Sequence, residues 1–124
     1  RGHWDEAFVY KETTCFNAPL RLVQTSCHNG VLPLKQEFIS VKPENLVVSA
    51  IKKAEDRESI VIRLFNPTDD ALKGRIKVYS SIKEAFLTNL NEERQQSLNI
   101  IGDNEISVEA GSNKIVTVEL VHDM

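Results

Sequence analysis

Apolar residues along this chain fall into short runs separated by polar turns. The densest stretch is 46–67, LVVSAIKKAEDRESIVIRLFNP. Two apolar runs, 46–51 and 60–65, flank a middle, 52–58, that carries six charges and one small apolar residue. Both runs are rich in β-branched residues and too short for typical helices, which predicts two strands joined by a solvated turn. Asn66-Pro67 ends the second strand, because proline cannot donate to a ladder and restrains the residue before it. A strand with one wet face should alternate apolar and polar residues. Here Ile60, Ile62 and Leu64 take one face, while Val61 and Phe65 flank Arg63 on the other. In the first run Leu46, Val48 and Ala50 face one way, Val47 and Ile51 the other. Two readings stay open: a mid-sandwich strand with a few exposed valines, or a second face covered by something outside this chain.

The rest of the chain repeats the pattern. Trp4, Ala7, Phe8 and Cys15 are spaced for a short amphipathic helix or turn over 4–16, broken by Asn17-Ala18-Pro19. Residues 20–28 read as a strand, with Leu20 and Leu22 opposite Val23, Thr25 and Cys27, and Asn29-Gly30 is a turn signal. A strand at 36–41 leads to a turn at 42–45. After Pro67 and a turn at 68–70, residues 74–80 alternate, with Ile76 and Val78 opposite Arg75, Lys77 and Tyr79. A strand at 83–90 puts Phe86, Thr88 and Leu90 on one face. Residues 91–96 are polar and predict an exposed connection, and 98–101 a short strand. Turns at 102–104 and 110–113 bracket a strand with Ile106 and Val108. The last strand, 114–121, places Val116, Val118 and Leu120 on one face. Seven to nine short strands at spacings of about ten residues predict an all-β antiparallel sandwich, with a short N-terminal helix.

With 124 residues the chain predicts a single domain over 1–124, large enough for its own core. A net charge of −3 and no basic stripe argue against nucleic acid as a partner. No apolar run approaches the roughly 20 residues that span a bilayer, so no membrane partner is expected. No secretory signal pattern is legible. The chain opens on Arg1 rather than methionine, and the expectation is a piece cut from a longer protein. Two cysteines, Cys15 and Cys27, do not make a disulfide framework. Two buried free thiols in a reducing compartment is one account, a Cys15–Cys27 bridge the other.

Chemistry is sparse. His3, His28 and His122 form no ligand spacing, Cys27 and His28 as strand neighbours point to opposite faces, and there is no C-x-x-C pair, so no metal ligand is assigned. No G-x-S-x-G elbow marks an activated serine, and the five glycines read as turn residues rather than a phosphate cradle. Glu55-Asp56, Asp69-Asp70 and Glu92-Glu93 could supply paired carboxylates, but adjacent turn carboxylates are ordinarily solvated. No catalytic residue is assigned.

The central stretch resembles a known family. Residues 49–56, SAIKKAED, followed by 62–66, IRLFN, are similar to the C-terminal β-domain of bacterial glycoside hydrolase family 38 α-mannosidases. Phe16-Asn17-Ala18-Pro19-Leu20 resembles its F-N-x-P-L opening segment. Pro33 and Phe38-Ile39-Ser40-Val41 match its next segment loosely, with Glu37 where serine is usual. Asn89-Leu90-Asn91-Glu92 resembles its N-L-x-E segment. Each motif is weak by itself, and four in register are fairly specific.

The resemblance implies a large zinc-dependent enzyme that hydrolyses α-mannosidic bonds, this chain being a C-terminal piece without cofactor. In the family, zinc ligands and nucleophile belong to an N-terminal catalytic domain, which would be this chain's partner, with a mannose-containing glycan as substrate of the whole. A second copy of the chain is a further candidate partner. Lys52, Lys53, Glu55 and Asp56, at the hairpin tip, are the candidate docking residues, with Lys52 near the sugar site; the plain account is a solvated turn. The bacterial resemblance and the cysteine usage point to the cytoplasm. An alternative is a stand-alone carbohydrate-binding module, for which only Trp4 and Tyr10 stand out as stackers. An immunoglobulin-like domain lacks its Cys…Trp…Cys order, since Trp4 precedes both cysteines.

Overall fold

The computed structural model describes residues 3, 4 and 6–122; positions 1, 2, 5, 123 and 124 of the domain expected over 1–124 lie outside them. In order, the described residues form α1 (Val9–Asn17), β1 (Ile39–Lys42), β2 (Val47–Lys53), β3 (Ile60–Phe65) and β4 (Leu72–Val78). There follow β5 (Ile82–Thr88), β6 (Arg94–Ser97), β7 (Ile100–Ile101), β8 (Glu105–Ala110) and β9 (Ile115–His122). The strands make two antiparallel sheets, ordered β1-β4-β8-β7 and β2-β3-β9-β5-β6. This is the antiparallel sandwich the alternation predicts.

The core lies where period two puts it. Ile62 and Leu64 of β3, Ile76 of β4, Ile106 of β8, and Val118 and Leu120 of β9 are buried between the sheets. Arg75 and Lys77 of β4 point to water. Gly74 is buried because its neighbours leave no room: a Cβ there would lie 2.5 Å from Leu46 Cδ2 and 3.3 Å from Val108 Cγ2.

The central hairpin forms as expected, with one change of register. β2 and β3 pair from Lys53↔Ile60 to Val47↔Phe65, with a bulge between Val48 and Ala50. Strict alternation separates Val48 from Ile51. The extra residue, Ser49, returns both to the core side, opposite Leu64 and Ile62. Ser49 Oγ donates to the Arg63 carbonyl at 3.2 Å. Because β2 is the edge of the wider sheet, Val48 and Ile51 stay exposed.

Asn66 is more than a strand stop. It is fully buried, and its Nδ2 donates to the carbonyls of Asp70, Ala110 and Gly111 at 2.7–3.0 Å. Its Oδ1 accepts from Thr68 N and Thr68 Oγ1. One side chain thus ties the β3–β4 connection to the β8–β9 turn.

Several expectations change. Residues 20–28 form no strand: Leu20, Leu22 and Val23 are exposed, and no ladder partner meets them among the described residues. Alternation specifies a face but cannot supply a second strand. Asn29-Gly30 joins no hairpin, and Gly30 lacks the positive φ that a primed turn needs. The β1 strand starts at Ile39 rather than residue 36. The polar stretch 91–96 is partly a strand, since Arg94–Ser97 pairs with β5 as an edge. Cys15 and Cys27 are free, as one account held, but exposed rather than buried. They fall on α1 and the extended segment after it, neither of which reaches the core.

α1 occupies part of the stretch predicted for it and ends at Asn17, before Ala18-Pro19. None of its residues is buried. It rests on the sandwich through Tyr10, edge-on to Phe65 with ring centroids 6.5 Å apart, and through Lys11 Nζ, 2.6 Å from Glu44 Oε2.

Candidate functional site

The outward face of the five-stranded sheet carries the chain's densest polar chemistry. It starts from β9. Val118 and Leu120 point into the core, so Glu119 between them must point out. By register it stands between Val61 of β3 and Phe86 of β5. A lone carboxylate in mid-sheet would be costly, and Glu119 is fully buried. It is compensated by two arginines. Arg94 of β6 donates Nε to Oε2 and Nη2 to Oε1, each at 2.9 Å. Arg57, from the β2–β3 turn, donates Nε to Oε1 at 2.8 Å, and Ser59 Oγ donates to the same oxygen at 2.6 Å. The Arg94 guanidinium also lies 3.9 Å over the Phe86 ring. Arg94 foremost, then Arg57 and Ser59, hold the Glu119 carboxyl down at about 2, against the opposing effect of burial.

A second carboxylate joins from the β5–β6 turn. Glu92 has φ 63, a left-handed conformation unusual for a side-chain-bearing residue, and is itself buried. Asn89 shapes the turn, its Oδ1 accepting from Asn91 N and Glu93 N at 3.0 and 2.9 Å. Glu92 Oε1 lies 2.8 Å from Lys52 Nζ, Oε2 accepts from Glu55 N at 2.9 Å, and the Glu92 carbonyl accepts from Arg57 Nη2 at 2.6 Å. Lys52 and that backbone amide hold the Glu92 carboxyl below its usual range. Lys52 is raised, by Glu55 first and then Glu92.

The hairpin tip therefore folds down onto its own sheet. Of the four residues the sequence singles out, Lys52 and Glu55 form an ion pair and both reach Glu92. Lys53 turns away to pair with Glu58, and Asp56 is exposed. Of the residues that organise the site, Arg57, Arg94 and Glu119 were missed, and Glu92 was named only as a turn carboxylate and as part of the Asn89–Glu92 segment. A legible signal existed for one of them: Glu119 interrupts an apolar strand, a place where a charge demands a partner.

The outward face of β3, for which an outside cover is one reading, is partly covered from within, since Val61 and Glu119 are buried by chain already described. Carboxylates held ionised by cations are poor proton donors, so Glu92 and Glu119 make no acid–base pair of the glycosidase kind. Among the described residues no group of three or more His, Cys, Asp or Glu could hold a metal ion. No described helix is long and apolar enough to cross a membrane.

Among the curated proteins compared, none matches the chain. One family model does match, that of the glycosyl hydrolases family 38 C-terminal beta sandwich domain, over residues 45–118. The match begins at the turn before β2 and ends within β9, so it takes in the central hairpin and the Asn89–Glu92 turn, and leaves out β1 and the segments at 16–20 and 33–41. It spans more than half of the 124 residues, and the chain belongs to the family of glycosyl hydrolase 38 C-terminal beta sandwich domains.

Proposed function

We propose that this chain is the non-catalytic C-terminal domain of a longer, zinc-dependent α-mannosidase, and that it packs against and supports the catalytic domain. The family match over 45–118 carries the reading. The described residues do not fit a zinc site, so zinc and the bond-breaking residues would lie in another domain of the longer protein. The tip residues Lys52, Lys53, Glu55 and Asp56 are the proposed contact with that domain, with Lys52 nearest the sugar. Their internal pairing supports this role: Lys52 and Glu55 are anchored to Glu92, so the tip docks preformed and loses little freedom on contact. Free thiols at Cys15 and Cys27 fit a cytoplasmic parent.

The test is made on the full-length protein. It should hydrolyse an aryl α-mannoside, lose activity to a chelator and regain it with zinc, while the 124-residue chain hydrolyses nothing. Lys52→Ala should then change KM or kcat; unaltered kinetics and unaltered domain packing would remove the tip from the interface.

One observation favours the carbohydrate-binding alternative. Phe38 and Tyr79 are both exposed, with ring centroids 5.8 Å apart. Their planes cross at 70°, which offers one ring face rather than a coplanar platform. Titration of the chain with mannose oligosaccharides separates the two readings, since a binding module saturates and a structural domain does not.

A further inference from the structure

The chain itself covers the lower half of the same outward face only at Phe65, against which Tyr10 of α1 rests. Two rows of residues cross it, fixed by strand register. The first row runs Ala50, Arg63, Thr117, Thr88 across β2, β3, β9 and β5. The next pairs Phe65 with Ile115, and Leu90 follows two residues beyond Thr88. Thr88, Thr117, Leu90 and Ile115, with Glu109 of the facing sheet at its margin, line one shallow depression, in which the two threonines are buried and the two aliphatic side chains are more than half exposed.

Arg63 is the unexplained member. It sits between Ile62 and Leu64, both in the core, so its side chain must leave on the outward face. Its Nε is buried and has no hydrogen-bond partner among the described residues. The contrast with Arg57 and Arg94, each spent on Glu119 of the same face, is chemical as well as geometric. Neither row around Arg63 contains an acidic residue. The carboxylate of the adjoining row, Glu119, and that of the β5–β6 turn, Glu92, are already held by cations. A guanidinium half sunk among threonine and aliphatic side chains, with no anion of its own, is an incomplete ion pair.

We infer that Arg63, with the depression of Ile115 and Leu90 across β9 from it, receives a carboxylate-bearing apolar segment from another domain of the same longer polypeptide. The inference rests on the reading of the chain as a C-terminal domain and extends its interface from the hairpin tip to the middle of the sheet. A second copy of the chain is the poorer occupant. A two-fold contact through this face would bring Arg63 towards residues of its own kind.

The test uses the full-length protein with a photo-crosslinking benzoylphenylalanine at Ile115. The expected product is a crosslink within one polypeptide, to a segment with an Asp or Glu close to the crosslinked residue. Arg63→Leu should cut its yield at least tenfold, Arg63→Lys should keep most of it, and exchanging charges between Arg63 and the acidic residue should restore it. Should Arg63→Leu disturb the fold, seen as lost amide-exchange protection in β3 and β9, Arg63→Gln replaces it. A crosslink joining two copies, no crosslink, or one indifferent to Arg63 would overturn the inference. Absence of mannoside hydrolysis in the same preparation would sink the functional reading alone, since the crosslink does not depend on the reaction catalysed.

Discussion

Arg57 Nε meets Glu119 Oε1 at 2.8 Å although the two residues are 62 positions apart. This contact fastens a turn, which local propensity alone would leave in solvent, to the middle strand of the wider sheet. Arg94 completes the arrangement from the sheet edge, so one carboxylate joins the hairpin tip, β9 and β6. Breaking such an assembly from one side leaves charge without compensation, and the cost depends on which side is removed.

Removing an arginine should cost more than removing the carboxylate. Arg94→Met leaves a fully buried Glu119 with one cation, and a loss of about 3 kcal/mol is expected. Glu119→Gln leaves two arginines that are each about a third exposed and can turn to water, with a loss nearer 1–2 kcal/mol. Urea unfolding of both variants checks the order, and the reverse order would contradict the compensation argument.

The same carboxylate sets an acid limit on stability. Its folded-state value of about 2 lies below the ordinary glutamate value near 4.5, so the folded state binds this proton less readily than the unfolded chain. The stabilisation is therefore complete above the unfolded value and is lost as pH falls from about 4.5 through about 2. Its full size is about 3 kcal/mol, and about 2 kcal/mol after allowing for solvent around the arginines, each about a third exposed. Thermal unfolding of the chain and of Glu119→Gln between pH 6 and 2.5 should show a steeper acid loss in the parent. Parallel curves would exclude the effect.

Asn66 should be among the least replaceable polar residues. Asn66→Ala strips three carbonyls, one buried and two part-buried, of a donor, for an expected loss of about 2–3 kcal/mol and a fall in Tm of roughly 10 °C. Asn66→Asp, similar in size but without the donor, should be no better. Calorimetry of the two variants tells donor loss from volume loss: an aspartate variant as stable as the parent would mean the three contacts contribute little.

Gly74→Ala tests close packing between the sheets. The new methyl group meets Leu46 Cδ2, and a loss of about 1–3 kcal/mol is expected. Leu46→Val in the same molecule retracts the obstructing end, and the pair should recover about 1 kcal/mol relative to additivity. Additive losses in a double-mutant cycle would place the strain elsewhere.

How much of this was legible follows from what period two encodes. β4, β8 and β9 were readable because Ile76, Val78, Ile106, Val108, Val116, Val118 and Leu120 alternate against polar neighbours, and each buries the face it advertises. Residues 20–28 advertise a face equally well and pair with nothing among the described residues, because a pattern on one strand carries no information about its neighbour. β6, Arg-Gln-Gln-Ser, was unreadable for the opposite reason: an edge strand held by backbone pairing and one arginine needs no apolar side chain. At the site, the charge run at 52–58 located the right turn but misjudged its members. Arg57, next to last in that run, reaches the buried carboxylate, whereas Asp56 stays in water. Long-range pairs such as Arg57–Glu119 leave no local trace except a charge where none should be.

The bulge at Ser49 has a consequence for how the domain behaves in company. β2 ends the wider sheet and presents Val48 and Ile51 uncovered, the kind of margin along which a neighbouring molecule could add its own strand. The extra residue throws the free amide and carbonyl groups of that margin out of step, so an incoming chain cannot align with all seven residues at once. The bulge thereby works against fibre growth along this margin, and a deletion that straightened β2 would remove that obstacle.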